Sequence, residues 1–306
     1  MNKLTNGAFC RRPLDRFRRS IGSYLLVTPF MLIFFVFTVA PVFVTFVISL
    51  TKYNVLETPV FIGLDNYRRL LLEDDVFAKA VKNTLVFAIF TGPLGYVLSF
   101  LASWAINETD RRVRGLLTFV FYLPSMSGTV YTIWNIIFSS DIYGYANSAL
   151  IRMHIITEPI AWFTSETWIM PLIIIVQLWM SLGTGFLAMR AGLAAIDEQY
   201  YEAGAIDGVR NRFQELFYIT LPMMAPHLMT SALLQITAMF ANTGVSDTLV
   251  GFPSTNYAGH LIMSHLNDYA NLRVERGYAS AIAVFLFVFM VLLNRFILGK
   301  LKKIGV

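Results

Sequence analysis

Stretches free of Asp, Glu, Lys and Arg recur along the chain, at 20–51, 83–107, 115–140, 167–189, 216–246, 248–267 and 277–294. A helix needs about 20 mostly apolar residues to cross a hydrocarbon core about 30 Å thick, so the pattern predicts an all-α, polytopic membrane protein. Six of the seven stretches qualify as spans. The exception, 248–267, carries Gly251, Pro253, Asn256, His260 and His265 and no sustained apolar run. Its backbone around Gly251–Pro253 would go unpaired in lipid, so it is expected in a loop. The first stretch exceeds one crossing, and Pro29 and Pro41 within it predict a kink or an early start in the interface. The last is short and must borrow a turn from a flank.

Composition agrees with this reading. Of 306 residues 56% are apolar and only 14% charged, with a mean hydropathy of +0.60, whereas soluble domains carry about 25% charged residues. The placement of the +5 net charge then sets sidedness. With the N-terminus inside, sixteen of the 24 lysines and arginines fall in cytoplasmic segments and eight outside, which predicts both termini in the cytoplasm. A seventh span would carry Lys300, Lys302 and Lys303 outside. The expected organisation is an N-terminal arm at 1–20, a membrane domain at 21–298 with a cytoplasmic loop at 192–222, and a tail at 299–306. The arginines at 11, 12, 16, 18 and 19 mimic the start of a signal peptide, but the run behind them is longer than an h-region of about 7–15 residues, so it reads as an uncleaved first span. Cys10 is the sole cysteine and lies in that arm. Outer loops are expected at about 51–80, 141–166 and 247–276, and no internal repeat or soluble domain is visible.

The loop between the fourth and fifth spans holds the densest polar pattern. Asp197 suits an N-cap, with Glu198 at the positive end of the helix that follows. Tyr201 and Ala205 share a face, Ala203, Gly204 and Ala205 keep the helix thin, and Gly208 suits a break with positive φ. A second amphipathic piece is expected from about Arg210 to Tyr218, with Leu221-Pro222 opening the fifth span. A thin helix with one aromatic anchor is shaped to lie in a partner's groove. An amphipathic loop resting on the membrane surface fits the same pattern.

The run Glu202-Ala203-Gly204-Ala205-Ile206-Asp207-Gly208, followed by Ile219-Thr220-Leu221-Pro222 and preceded by Ala191-Gly192-Leu193, resembles the "EAA" loop of permease subunits in binding-protein-dependent ABC importers of the sugar type, the maltose-permease-like group. Gly63-Leu64-Asp65-Asn66-Tyr67, Tyr122-Leu123-Pro124 and Gly277-Tyr278-Ala279-Ser280-Ala281 match as well, so the resemblance covers nearly the whole chain. Three features depart from it: Gly204 replaces the usual second alanine, Asp197 stands where proline is common, and the interval from Gly208 to Ile219 is one residue longer. The resemblance implies an ABC importer type I permease fold and a carbohydrate as solute, an oligosaccharide or a monosaccharide. It also implies a second, related permease, two ATPase subunits and an extracytoplasmic solute-binding protein as partners. It assigns Tyr201, Glu202, Ala203, Gly204, Ala205, Asp207 and Gly208 to the loop that couples to the ATPase, with Glu202, Ala203, Ala205, Asp207 and Gly208 as the core of the contact.

Polar residues in mid-span face the bundle interior or a solute path. Gln177, Ser181 and Thr184 recur at i, i+4 and i+7 along the fourth span, and Gln235, Met239 and Asn242 repeat that spacing in the fifth, with Thr243 and Ser246 nearby. The resemblance places these stripes where maltose-type permeases line their sugar site. Tying helices together is the other role such residues play in membranes. Trp179 and Tyr131 are placed to stack on a sugar face, and equally to pack.

Other chemistry is missing from the pattern. No Asp, Glu, Lys or Arg lies within the six spans, which argues against a proton or cation relay and favours a neutral polar solute. No G-x-x-x-x-G-K-[ST] loop is present, so no cofactor is expected on this chain and ATP would be used by the partner ATPase. His154, His227, His260 and His265 form no metal pattern; the last two, five apart, are about 140° apart around a helix and would not share a face. No nucleic-acid surface is expected. An ATP-independent secondary transporter or channel would require ion-coupling residues or inverted repeats, and a membrane scaffold that recruits a soluble partner would need no polar stripes.

Overall fold

The computed structural model describes residues 13–241 and 244–303 and is helical almost throughout. The first span is α1 (Pro13–Phe34) and α2 (Ala40–Ile48), joined by a π turn at Phe35–Val39. The expected irregularity is therefore a bulge just ahead of Pro41, whose ring supplies no N–H to the helix, while α1 runs unbroken through Pro29. Every described side chain from Tyr24 to Thr38 is exposed.

A two-residue antiparallel ladder follows, β1 (Thr51–Lys52) against β2 (Val60–Phe61), with Thr51 opposite Phe61. Asn66, in the short α3 (Asp65–Arg68), donates to the Ser49 and Thr51 carbonyls at 2.8 and 2.9 Å and clamps this loop. The second span, α4 (Asp75–Asn107), has 33 residues and is about 50 Å long, so it projects beyond the hydrocarbon core.

The third span is not the single helix expected over 115–140. It consists of α5 (Arg111–Met126) and α6 (Tyr131–Ile137), bent by 81° across Ser127. Ser127 is extended, and its hydroxyl accepts from Thr129 N–H, a cap that restarts the chain in a new direction. The outer loop holds α7 (Tyr145–Arg152). The fourth span is also divided, into α8 (Glu166–Met180) and α9 (Thr184–Ala194), with a break at 181–183. It runs past the charge-free stretch that ends at 189 and takes Arg190 into α9. Arg190 is 8% exposed and donates to the Ser103 carbonyl and Asn107 Oδ1 at 3.2 and 3.3 Å. It thereby satisfies acceptors at the C-terminus of α4.

The connecting loop forms α10 (Glu198–Ile206) and α11 (Arg212–Glu215), and a π turn at Leu216–Thr220 runs into α12 (Leu221–Ala241), the fifth span. Beyond it lie α13 (Gly244–Leu249), α14 (Ile262–Asn267) and the sixth span, α15 (Arg276–Lys303). As expected, 248–267 forms no helix long enough to cross. Among the described residues, five helices are long and apolar enough to span a membrane, six with the bent pair. The two histidines of this segment do meet: His260 Nε2 lies 3.0 Å from His265 Nδ1. The helical-face argument fails because His260 precedes α14 and reaches back to it from the loop.

Two apolar clusters hold the bundle. The larger joins Phe77, Phe87, Val176, Ile236, Phe240 and Ile282 across α4, α8, α12 and α15; the smaller joins Met189, Leu193, Met224 and Leu228 across α9 and α12. Between them, along α8–α9 and α12, lies a stretch of small and polar residues. Close approach of helices there follows the membrane rule that small side chains permit tight packing: a Cβ at Gly95 would stand 2.9 Å from Ser181 Cβ.

Candidate functional site: a polar cavity and the loop tied to its walls

The polar level between the two clusters encloses a cavity of about 230 Å³. Gln177 and Ser181 line it from the end of α8, Thr184 from the start of α9, and Gln235 and Met239 from α12. Five of the six residues expected along a solute path are thus brought to one place; Asn242, like Thr243, lies outside the described residues. The reason differs from the expected one. Gln177 and Thr184 do not share a helix stripe, because the helix stops at Ser181 and restarts at Thr184. The break turns both toward the same space.

Sequence periodicity missed the parts of the wall that come from α4 and α5: Thr91 and Gly92, and Tyr122 and Ser125. The short Tyr122-Leu123-Pro124 motif was the only hint of the latter. Trp179 instead lies edge-on to Trp134, with ring centres 5.3 Å apart, and Tyr131 is buried in the larger apolar cluster. Ser246 is buried and donates to the Gly259 carbonyl.

Among the described residues, no lining side chain is ionisable except the phenol of Tyr122. Gln235 Nε2 donates to Ser99 Oγ at 3.0 Å, and Ser231 Oγ donates to the Gly185 carbonyl at 2.8 Å, fixing α12 against α4 and α9. Gln177 Oε1 is buried and accepts no hydrogen bond among the described residues. An unpaired buried amide oxygen costs about 1–3 kcal/mol, and a donor in the cavity can satisfy it only if the amide turns to face that space. The α5–α6 and α8–α9 breaks both border the space, with Ser125 Cβ 3.6 Å from where a Gly183 Cβ would sit. Broken helices at membrane depth occur where they line a polar cavity.

The loop at 192–222 lies at the other end of these helices. Asp197 caps α10, accepting from Gln199 N–H at 3.1 Å. Gly208 has φ +96° and ends the helix, with Val209 N–H bonded to the Gly204 carbonyl at 2.9 Å. Glu202, Ala203, Ala205, Asp207 and Gly208 are exposed, and Ile206 beside them is 87% exposed. Tyr201 is not an outward anchor. Its hydroxyl lies 3.0 Å from Thr220 Oγ1, and since Thr220 donates to the Glu215 carbonyl, Tyr201 is the donor. Gly204 also turns inward, where a Cβ would meet Ile219 Cδ1 at 2.5 Å; its departure from alanine makes room for this contact. Arg212 pairs with Glu108, the residue after α4, at 3.2 Å, and the Phe213 and Trp104 rings are 6.0 Å apart. The loop is therefore attached to α12 and α4, two walls of the cavity.

Comparison with known proteins supplies the context. Residues 93–298 match the family described as "Binding-protein-dependent transport system inner membrane component". The chain is 30% identical over 234 residues to the lactose transport system permease protein LacF of Rhizobium radiobacter, covering 76% of each. It is 29% identical over 283 residues to the probable ABC transporter permease protein YesP of Bacillus subtilis, covering 91% of this chain and 90% of the relative. Among solved structures, a chain of a bacterial alginate ABC transporter in complex with alginate pentasaccharide-bound periplasmic protein superposes with a TM-score of 0.76 at 21% identity, covering 96% of this chain and 99% of that one.

Proposed function

The chain belongs to the family of binding-protein-dependent transport system inner membrane components, and on that premise we propose that it passes a neutral carbohydrate through the cell membrane as one of two permease subunits of an ATP-driven importer. A related chain completes the path, two ATPase subunits bind the exposed face of α10, and an extracytoplasmic binding protein delivers the solute at the opposite end. Both termini then lie in the cytoplasm, as the distribution of lysine and arginine favours.

The observation that carries this reading is the cavity. Its described walls mix hydroxyl and amide groups with apolar ones and carry no charge, and it lies near the breaks in two spans. Sugar hydroxyls both donate and accept, so they match amide and hydroxyl side chains and exposed backbone groups alike, while a carboxylate or phosphate would find no cation among the lining residues. Turned toward the cavity, the Gln177 amide would accept from a hydroxyl. The solutes named in the relatives support a carbohydrate.

Closure of the ATPase pair pushes α10. That push enters α12 through the Tyr201–Thr220 and Gly204–Ile219 contacts and α4 through the Arg212–Glu108 pair. Farther along, the same helices carry Gln235 and Met239 on α12 and Thr91 and Gly92 on α4, so the cavity walls move with the loop. The test is uptake of a labelled neutral oligosaccharide by vesicles holding the assembled importer. Uptake should require hydrolysable ATP on the loop side, and full-rate uptake without it would refute the proposal.

A further inference from the structure

At the end of α4 opposite the loop, a buried chain of ionisable groups takes no part in the path described so far. Asp74, the N-cap of α4, accepts from Phe77 N–H at 2.8 Å, from the Tyr278 hydroxyl at 2.7 Å and from His265 Nε2 at 3.1 Å. His265 is 1% exposed and His260, against its other ring nitrogen, 2% exposed. Three segments distant in sequence meet here: the start of α4, the stretch at 251–272 and the start of α15.

Chemistry orders the protons along this chain. An ionised Asp74 only accepts, so His265 Nε2 donates to it. In neutral His265 the other nitrogen then accepts, and His260 Nε2 is the donor. One extra proton fits: an imidazolium at His265 donates to both Asp74 and His260, which takes its other tautomer. A second does not fit, because two imidazolium rings would point N–H at N–H across 3.0 Å. The surrounding charges give no relief. Arg273 is paired with Asp268 at 2.9 Å and Arg69 with Glu275 at 2.6 Å, both stacked near the Tyr269 ring, and Lys79 is turned to Asn256. Arg273 repels a proton on His260, and Asp74 attracts one across His265. Tyr257 and Phe252 cover the remaining ring faces of His260.

We propose that the His260–His265 pair is an acid-triggered release, in which the second proton parts the two rings and frees the 251–272 segment from the end of α4, while at neutral pH the segment stays closed. This goes beyond the transport reading and rests on it only for which compartment's pH is sensed, the extracytoplasmic one.

Burial, reinforced by His265 and Arg273 and opposed by Asp74, lowers His260 from 6.5 to about 4. Burial would raise Asp74, but the hydrogen bonds from His265, Phe77 N–H and Tyr278 outweigh it and hold the carboxyl well below its usual range, so it stays ionised throughout. Once freed, His260 would take its proton at its ordinary value. The closed form is therefore fully favoured above pH 6.5 and loses its advantage as pH falls toward 4. Linkage across that interval shifts the balance toward release about 30-fold at pH 5, and about 300-fold well below pH 4.

Hydrogen exchange on the full chain in lipid nanodiscs, corrected for the intrinsic pH dependence of exchange, tests this without reference to transport. Between pH 7.5 and 5.0 the amides of 256–267 should lose about 30-fold in protection, reversibly, while those of α7 keep theirs. His260→Gln keeps a donor toward His265 but takes no proton, so at pH 5.0 it should exchange as the unaltered chain does at pH 7.5. A flat profile in the unaltered chain, or an acid loss that persists in His260→Gln, overturns the proposal. If that variant fails to assemble, the unaltered chain decides: loss spread evenly over all outer segments, or beginning only below pH 4, also overturns it.

Discussion

Replacing Gly185 with alanine should damage the crossing of α9 and α12 more than it helps the helix. Gly185 is buried; a Cβ there would overlap Gln235 Cγ and stand 2.9 Å from Gln235 Nε2. Gln235 is not free to swing aside, since its Nε2 is bonded to Ser99, and Ser231 on the same helix holds the Gly185 carbonyl. Overpacking costs about 1–3 kcal/mol, and losing a neutral hydrogen bond adds about 0.5–1.5 kcal/mol. Removing a glycine from a helix returns at most ~0.5–1 kcal/mol. The net expectation is about 1–3 kcal/mol of destabilisation, read from detergent-unfolding curves of the purified protein. A double-mutant cycle gives the decisive number. Gln235→Ala vacates the space, so Gly185→Ala on that background should cost little, leaving a coupling of about 1–3 kcal/mol. Additivity within about 0.5 kcal/mol would show that the two residues do not meet as described.

Gly208→Pro should leave the amount of membrane-inserted protein unchanged and abolish uptake, because φ +96° is closed to proline; normal uptake by that variant would refute a coupling role for the α10 loop. Gln177→Leu removes an amide with an unpaired oxygen from the cavity wall and should lower kcat/KM for uptake about 3- to 10-fold, the worth of about one neutral hydrogen bond, while thermal stability holds or rises; an unaltered kcat/KM would place the solute elsewhere. Asp74→Asn should destabilise the protein at pH 7 by about 1–3 kcal/mol. Because Asp74 is held below its ordinary 3.8, its contribution is complete above that value and fades as pH falls through the lower range. Melting curves of the two proteins should therefore converge in acid, and a gap constant down to pH 3 would contradict the sign.

The spans were legible because lipid leaves backbone groups no alternative to a helix, so hydropathy and length suffice to find them. The breaks within them were not. Ser127-Gly128 and Ser181-Leu182-Gly183 look in sequence like the small-residue positions that any packed membrane helix carries, and only the assembled bundle shows that the chain restarts there. Periodicity still gathered the cavity residues on α8, α9 and α12, since a stripe and a break both turn polar side chains inward. It said nothing of α4 and α5, whose contributions are a threonine beside a glycine and a tyrosine and a serine on either side of Leu123-Pro124. In the loop, capping chemistry at Asp197 and Gly208 was readable residue by residue. Which face of α10 rests on its own chain was not, because Tyr201 is as apt for an external groove as for Thr220. His260 and His265 show the same limit: spacing decides a shared face only when both residues lie in one helix.

The bareness of the first span has a consequence for how this protein can vary. From Tyr24 to Thr38 no side chain is enclosed by the rest of the chain, so within the isolated subunit selection sees greasiness and length there rather than shape. Leucine, phenylalanine and valine should exchange freely along that stretch among descendants of this sequence, while Gly95, Ser181 and Gly185, whose neighbours leave no room for a larger side chain, should hardly drift at all.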